Sequence, residues 1–434
     1  MCATADEFLR FVRSAPSPFH VTAACVDLLR QAGFQCCTPD NIDGIRPGGK
    51  YYCSIYDTTL LAFTVGEFPG PLRLAAAHTD FPCLRLKPQP VMVRDGYISL
   101  NIESYGGLVL RTWLDRPLSL AGKVALRGAD AFHPVTKPVN FVRPVAVIPG
   151  LAIHFDREVN EQGKLNCQTD LLPLLGLAPY APETANDNNS ARQDCLSDEL
   201  ARQLNCSTAD ILAYELSFYP VDNGASVGLN GEFVTSPRLD NLTSVWACVQ
   251  SLVHLNPPPG LRLIALFDHE EVGSRTKQGA GSTQLYNVLS LIYRSLGRTP
   301  TDFYRDLSEG FMLSVDVAHA THPNHGDKAD LTIKPQLGGG IVFKEAAAQT
   351  YAGDAEAVAT VKSLAAECGV KWQEFVNRAD QKGGSTLGSI ASTVVSVRTM
   401  DIGVPILAMH SAVETMAWQD QIALNNFVAH YMTA

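Results

Sequence analysis

Four short apolar runs constrain this chain more than any other feature: residues 72–77 (LRLAAA), 261–267 (LRLIALF), 311–315 (FMLSV) and 404–409 (VPILAM). They are nearly continuous in apolar residues rather than alternating. That pattern suits strands buried on both faces, as in a parallel sheet covered by helices. Between them lie stretches with helical spacing: one carrying Val245, Val249, Leu252 and Val253, and others at about 283–296 and 355–368. The reading is an α/β unit, and each run ends on ionisable residues: His78-Thr79-Asp80, Asp268-His269-Glu270-Glu271, Asp316 and His410.

At the N-terminus, Thr4-x-x-Glu7 predicts a capping box for a first helix, and a second spans about 19–31. From about 91 to 237 the texture changes to short alternating stretches punctuated by Gly, Pro and Asp, which predicts a β-rich unit. A polar tract at 180–198, containing NDNNS, reads as a loop within it. The expected organisation is therefore a first catalytic part at 1–92, an inserted β-rich domain at 93–235, and a second catalytic part at 236–434.

The chain has 34 basic and 44 acidic residues, a formal net charge of −10. This argues against nucleic acid as a principal partner. The first residues, MCATADEFLRFVRS, carry no apolar leader, and no run approaches the length needed to cross a bilayer. Eleven cysteines without a CxxC pair suit reduced thiols, so a cytoplasmic location is expected and no membrane partner.

Polar residues at strand ends of an open α/β sheet face the crevice where ligands bind. His78, Glu270, Glu271, Asp316 and His410 would converge on one sheet edge if their strands were parallel neighbours, and Asp240 stands just ahead of a helix. Carboxylates with imidazoles suit zinc, with cobalt or manganese as substitutes. A carboxylate between two cations can bridge them, and a pair of metals can clamp a hydrolytic water. Asp80 is placed to orient His78 from behind. One of the adjacent glutamates can be a ligand while the other stays free as a base, provided the strand stops before them, and Gly273 permits that. The HExxH zinc helix is excluded, because Gly273 stands where its second histidine is required.

At this point the chain resembles the M18 metallopeptidases, the aspartyl aminopeptidase family. The matching stretches are His78-Thr-Asp80 with Arg85-Leu-Lys87-Pro88, Ser236-Pro-Arg-Leu-Asp-Asn241 and Phe267-Asp-His-Glu-Glu-Val-Gly-Ser274. Asp316-x-x-His319-x-x-His322-Pro323-Asn324, Gly384-Ser-Thr386 and Met409-His-Ser411 follow in the family's order. The resemblance implies a zinc-exopeptidase-like α/β/α catalytic domain with an inserted dimerisation domain. It implies two zinc ions, with His78 and Asp316 on one, Glu271 and His410 on the other, and Asp240 bridging. Glu270 becomes the catalytic base, with Asp80 orienting His78. Substrate contacts fall on Asp316, His319, Lys344, Tyr351 and on His154, which in the family reaches a neighbouring subunit's site within a dimer-based homododecamer. Phe81, Cys83, Lys334 and Val413 depart from the family's usual residues and bear on substrate preference.

The function so implied is a dinuclear zinc aminopeptidase taking peptide substrates with acidic N-terminal residues. The alternatives are a broader dinuclear-zinc aminopeptidase or deacylase, and a non-catalytic assembly protein of the same fold.

Overall fold

The computed structural model describes residues 4–38, 41–178 and 195–434. They form two compact units. The first comprises residues up to Phe81 with Gly224–Met409 and Glu414–Ala434, and the second Pro82–Asn223 with His410–Val413. The change of unit falls ahead of the expected positions 92 and 236. The reason lies in strand pairing: Cys83–Arg94 pairs with Tyr97–Tyr105 inside the second unit, whereas Phe233–Ser236 pairs with Glu414–Ala417 inside the first.

The first unit is built on a nine-stranded sheet. Its order is Gln35–Cys36, Lys50–Ile55, Thr59–Val65, Leu261–Phe267, Leu72–His78, Phe311–Val315, Arg398–Gly403, Ile341–Lys344 and Trp372–Phe375. The central four strands, from Leu261–Phe267 to Arg398–Gly403, run parallel. Side chains alternate across it with period two. Ala75, Ala77, Ile264, Leu266 and Leu313 join one core with helices Ala5–Ser14, Pro18–Gln31, Leu239–Val253, Ala355–Cys368 and Trp418–Thr433. Leu74, Ala76, Leu263, Ala265 and Met312 join another with helices Gln284–Ser295, Pro300–Ser308 and Leu387–Val394. Both faces are covered, which makes the unit a three-layer α/β/α sandwich.

The first helix begins as its sequence predicts. The Thr4 hydroxyl accepts the Glu7 amide at 3.2 Å, and the Glu7 carboxylate accepts the Thr4 amide at 2.8 Å. One apolar run is placed differently from the expectation. Residues 405–407 form a strand of a separate five-stranded sheet, with Ala225–Val227, Phe233–Ser236, Glu414–Ala417 and Ala318–His319. The position beside Phe311–Val315 in the large sheet belongs instead to Arg398–Gly403, whose sequence RTMDIG hides its burial behind an aspartate.

In the second unit, Ile211–Pro220 pairs both with Cys83–Arg94 and with Pro117–Leu126, so a seven-stranded antiparallel sheet closes on itself. Leu84, Leu100, Ile102, Leu118, Leu120, Leu216 and Phe218 fill it. The polar tract expected as a loop lies at 179–194 outside the described residues, and its last residues, from Cys195, open helix Cys195–Leu204.

Candidate metal centre and active site

Three parallel strands end side by side, and their last residues deliver the charged groups. Phe267 is in register with His78, and the strand Phe311–Val315 lies on the other side of Leu72–His78. Past Phe267 the chain turns sharply: His269 has φ +64°, and Glu270–Val272 make one 3-10 turn that ends at Gly273 with φ +96°. The left-handed conformation at Gly273 favours glycine. Glu270 and Glu271 therefore leave the strand's alternation, and both can serve one place.

Asp80 organises this corner. Its carboxylate is fully buried and accepts the Glu270 amide at 3.0 Å through Oδ1 and the Glu271 amide at 3.1 Å through Oδ2. The His78 Nδ1 lies 3.0 Å from the Asp80 carbonyl and 3.3 Å from its Oδ1. One side chain thus fixes the imidazole and the turn carrying both glutamates.

His78 Nε2 then faces two carboxylates, Asp240 Oδ1 at 3.3 Å and Asp316 Oδ1 at 3.5 Å. Asp240 sits at the start of Leu239–Val253, where it and Asn241 depart from helical dihedrals; their peptide bond is cis. The Asp240 amide donates to Glu414 Oε2 at 3.0 Å, and Asn241 Nδ2 donates to the Val315 carbonyl at 3.0 Å. Asp316 donates its amide to the Ile402 carbonyl at 2.8 Å. A Cβ at Gly403 would stand 1.8 Å from the Asp316 carbonyl oxygen, so only glycine lets the two strands approach here.

These placements fit a cation on the chemistry of the donors. His78, Asp240 and Asp316, all buried, present ligand atoms within 4.8 Å of one another, and so do His78, Glu270 and Glu271. Buried carboxylates gathered this closely repel one another and cost free energy, which a cation offsets. Titration reflects the crowding. Burial pulls the His78 pKa down, but hydrogen bonds to Asp240, Asp316 and Asp80 outweigh it and hold the imidazole well above its ordinary range. Burial pushes the Glu270 carboxyl up, to about 8, with Asp316, Asp80 and Asp240 adding to it against His78.

Lys344 ends its strand fully buried. Its Nζ donates to the Val317 carbonyl at 3.1 Å, lies 3.8 Å from Asp316 Oδ2, and sits 5.2 Å from the Tyr351 ring centroid. Burial opposes its charge, but Asp316 and Asp401 more than compensate and keep it an ammonium. Tyr351 is buried with its ring 6.1 Å from Phe375, whose other neighbour is the exposed His319, at 6.0 Å. Asp401 accepts the Thr386 hydroxyl at 2.7 Å, which gives the Gly384-Ser385-Thr386 loop its anchor.

In the second unit, His154 is exposed in a segment that also exposes Leu151, Ile153 and Phe155. His410, with φ +65°, opens the four-residue segment belonging to that unit, and its Nδ1 meets the Gly107 carbonyl at 2.9 Å. Cys83 is packed in that unit's core, while Phe81 lies under the Arg238 guanidinium at 5.5 Å. Sequence reasoning missed three supports: the Asp80 grip on the two amides, Glu414 behind Asp240, and Asp401. The first was implicit in the His-Thr-Asp spacing, but no local pattern marks the other two.

Comparison with known proteins settles the family. The model described as Aminopeptidase I zinc metalloprotease (M18) matches residues 11–431. The chain belongs to the M18 family. It is 41% identical over 420 residues to a probable M18 family aminopeptidase 2 of Clostridium novyi (strain NT), covering 96% of this chain and 95% of that protein. The cryo-EM structure of the Ape4 and Nbr1 complex contains a chain 33% identical with a TM-score of 0.92, covering 98% of this chain and 85% of that one. The S. cerevisiae mApe1 dodecamer, 24% identical, shares the fold with a TM-score of 0.83 over 99% of this chain and 97% of that one. This M18 chain is thus a metalloaminopeptidase. Among its described residues no helix is long and apolar enough to cross a membrane.

Proposed function

We propose that this M18 aminopeptidase is a dinuclear zinc enzyme that removes acidic residues from the N-termini of peptides. The observation that carries the proposal is His78 facing Asp240 and Asp316 while Asp80 holds both the imidazole and the Glu270–Glu271 turn. His78 and Asp316 would hold one ion and Glu271 and His410 the other, with Asp240 between them; the role of His410 rests on the family resemblance. Two zinc ions bound there supply polarisation of the scissile carbonyl and a water acidified toward neutrality, and cobalt or manganese would suit the same donors.

The chain's own residues do the rest. Glu270 takes a proton from the attacking water and delivers it to the leaving amine. Asp80, closed around two amides, keeps the base and the imidazole in register. His319, or His154 of a neighbouring subunit in a dimer-based homododecamer assembled through the β-rich unit, would donate to the developing oxyanion. Lys344 and Tyr351 form the wall that receives the N-terminal side chain, and an acidic side chain would share the ammonium with Asp316.

A broader aminopeptidase is the second reading, favoured by the burial of Lys344 and its commitment to Val317 and Asp316. Turnover of peptides beginning with Asp, Glu, Leu or Lys, with and without chelator, separates the two. The proposal expects chelator-sensitive cleavage strongest for Asp and Glu. Equal rates on all four would favour the broader enzyme, and chelator-resistant cleavage would remove the metal from the account.

A further inference from the structure

The chain carries a surplus of acid, yet one cavity in its first unit is basic. It measures about 340 Å³, in the range of small-ligand sites, and lies beyond Phe375 from Tyr351 and Lys344. His319, His322, His325, Lys328, Arg378 and Lys382 line it, against a single acid, Asp330. The His322 and His325 rings stand 5.0 Å apart. Arg378 is held in place, with Nε 2.6 Å and Nη2 3.0 Å from the two Asp380 oxygens and Nη1 donating to the Asp327 carbonyl. Lys328 Nζ lies 3.8 Å from Asp327. Neither Asp327 nor Asp380 lines the cavity, so among its charged lining residues three cations face one acid, with three imidazoles beside them.

Its position relative to the proposed chemistry follows from the backbone. His319 lies three residues past Asp316, in a strand pairing with Pro405–Leu407, and Ile406 and Leu407 also line the cavity. Phe375 packs against Tyr351 on one side and His319 on the other. If Lys344 and Tyr351 receive the N-terminal side chain, a peptide crossing Asp316 and His319 leads its following residues into this cavity. The cations and imidazoles there, Lys382 and the partly paired Lys328 and Arg378 among them, match a carboxylate.

We propose that the cavity binds a carboxylate on the leaving side of the peptide, either the C-terminal carboxylate of a short peptide or an acidic side chain beyond the cleaved bond. The proposal rests on the aminopeptidase reading and sharpens its substrate class to short or internally acidic peptides. No new covalent step is involved; the cavity acts on affinity and register alone.

The test uses the metal-loaded protein and tripeptides with one N-terminal residue, whichever the wild type cleaves best, followed by Ala-Ala. They are compared as free acid and as C-terminal amide; a second amide peptide with Glu in place of the last Ala separates side-chain from terminal carboxylate. The expected result is a KM about tenfold lower for the carboxylate-bearing peptides than for the Ala-Ala amide, with kcat within about twofold. Lys382→Glu and Lys328→Glu should bring that KM ratio to about one or invert it, and high salt should shrink it. Metal content and thermal melting of each variant establish that it is folded. Equal KM for acid and amide in the wild type overturns the cavity proposal while leaving peptide hydrolysis intact. A ratio that survives both substitutions also overturns it. Absence of cleavage of every peptide contradicts the aminopeptidase reading itself.

Discussion

Asp80 and Lys344 are both fully buried charges beside Asp316 or His78, but they are held in opposite ways. Asp80 is held chiefly by backbone dipoles, two amides at 3.0 and 3.1 Å, with the His78 imidazole nitrogen beside it at 3.3 Å. Lys344 is held chiefly by charge, between Asp316 at 3.8 Å and the field of Asp401, with one carbonyl, that of Val317, at 3.1 Å. Dipolar support fixes a group while leaving neighbouring full charges for a cation. An ion pair consumes the charge it fixes, so anything that binds there must compete for it. The sheet edge is therefore built as a rigid donor set, and the Lys344 wall as one whose charge can be redistributed.

The largest effect that would break this contrast lies at the base. Glu270→Gln preserves size and the backbone grip of Asp80, so kcat should fall roughly 10²–10⁴-fold with metal content unchanged. Loss of metal in that variant would mean Glu270 is a ligand and the assignment to Glu271 is reversed. Next in size is Asp80→Ala. It strands two buried amides and frees the imidazole, and should lower metal affinity roughly 10–100-fold and stability by roughly 3 kcal/mol. Equilibrium metal titration and denaturant unfolding read the two terms, and an unaffected metal affinity would reduce Asp80 to a turn support.

A third prediction concerns protons. In the metal-free protein, Glu270 has its pKa raised to about 8 and His78 has its raised well above the usual value. A raised folded pKa means the folded state holds more protons than the unfolded chain, so both groups stabilise the metal-free fold at low pH. That contribution is fully present below the unfolded pKa of Glu270 and is lost as pH rises through about 8. The melting temperature of metal-free protein should therefore fall between pH 5 and 8, and metal uptake over that range should release protons and strengthen with pH. Flat melting across the range would contradict the crowding at His78. The smallest effect belongs to the redistributable charge: Lys344→Leu should cut the preference for acidic over neutral N-termini by roughly tenfold, read from ratios of kcat/KM. If the preference is unchanged, the wall does not read the side chain.

Much of the fold was legible because it rests on short-range physics. Near-continuous apolar runs at 261–267 and 311–315 became central parallel strands, and the Thr4–Glu7 capping box formed as written. The interior strand Arg398–Gly403 was not legible, because Asp401 interrupts its apolar texture and is satisfied by partners distant in sequence, such as Thr386. The same distinction governs the site. His78, Asp240, Glu270, Glu271 and Asp316 announce themselves at the ends of elements. Glu414 and Asp401 act across 174 and 15 residues of chain, and nothing beside them marks the role.

The most direct test of the central claim is zinc titration of metal-free protein with turnover followed in parallel. The account predicts two equivalents bound per chain, with full turnover only when both are present. Saturation and full activity at one equivalent, or turnover undiminished in metal-free protein, would contradict it.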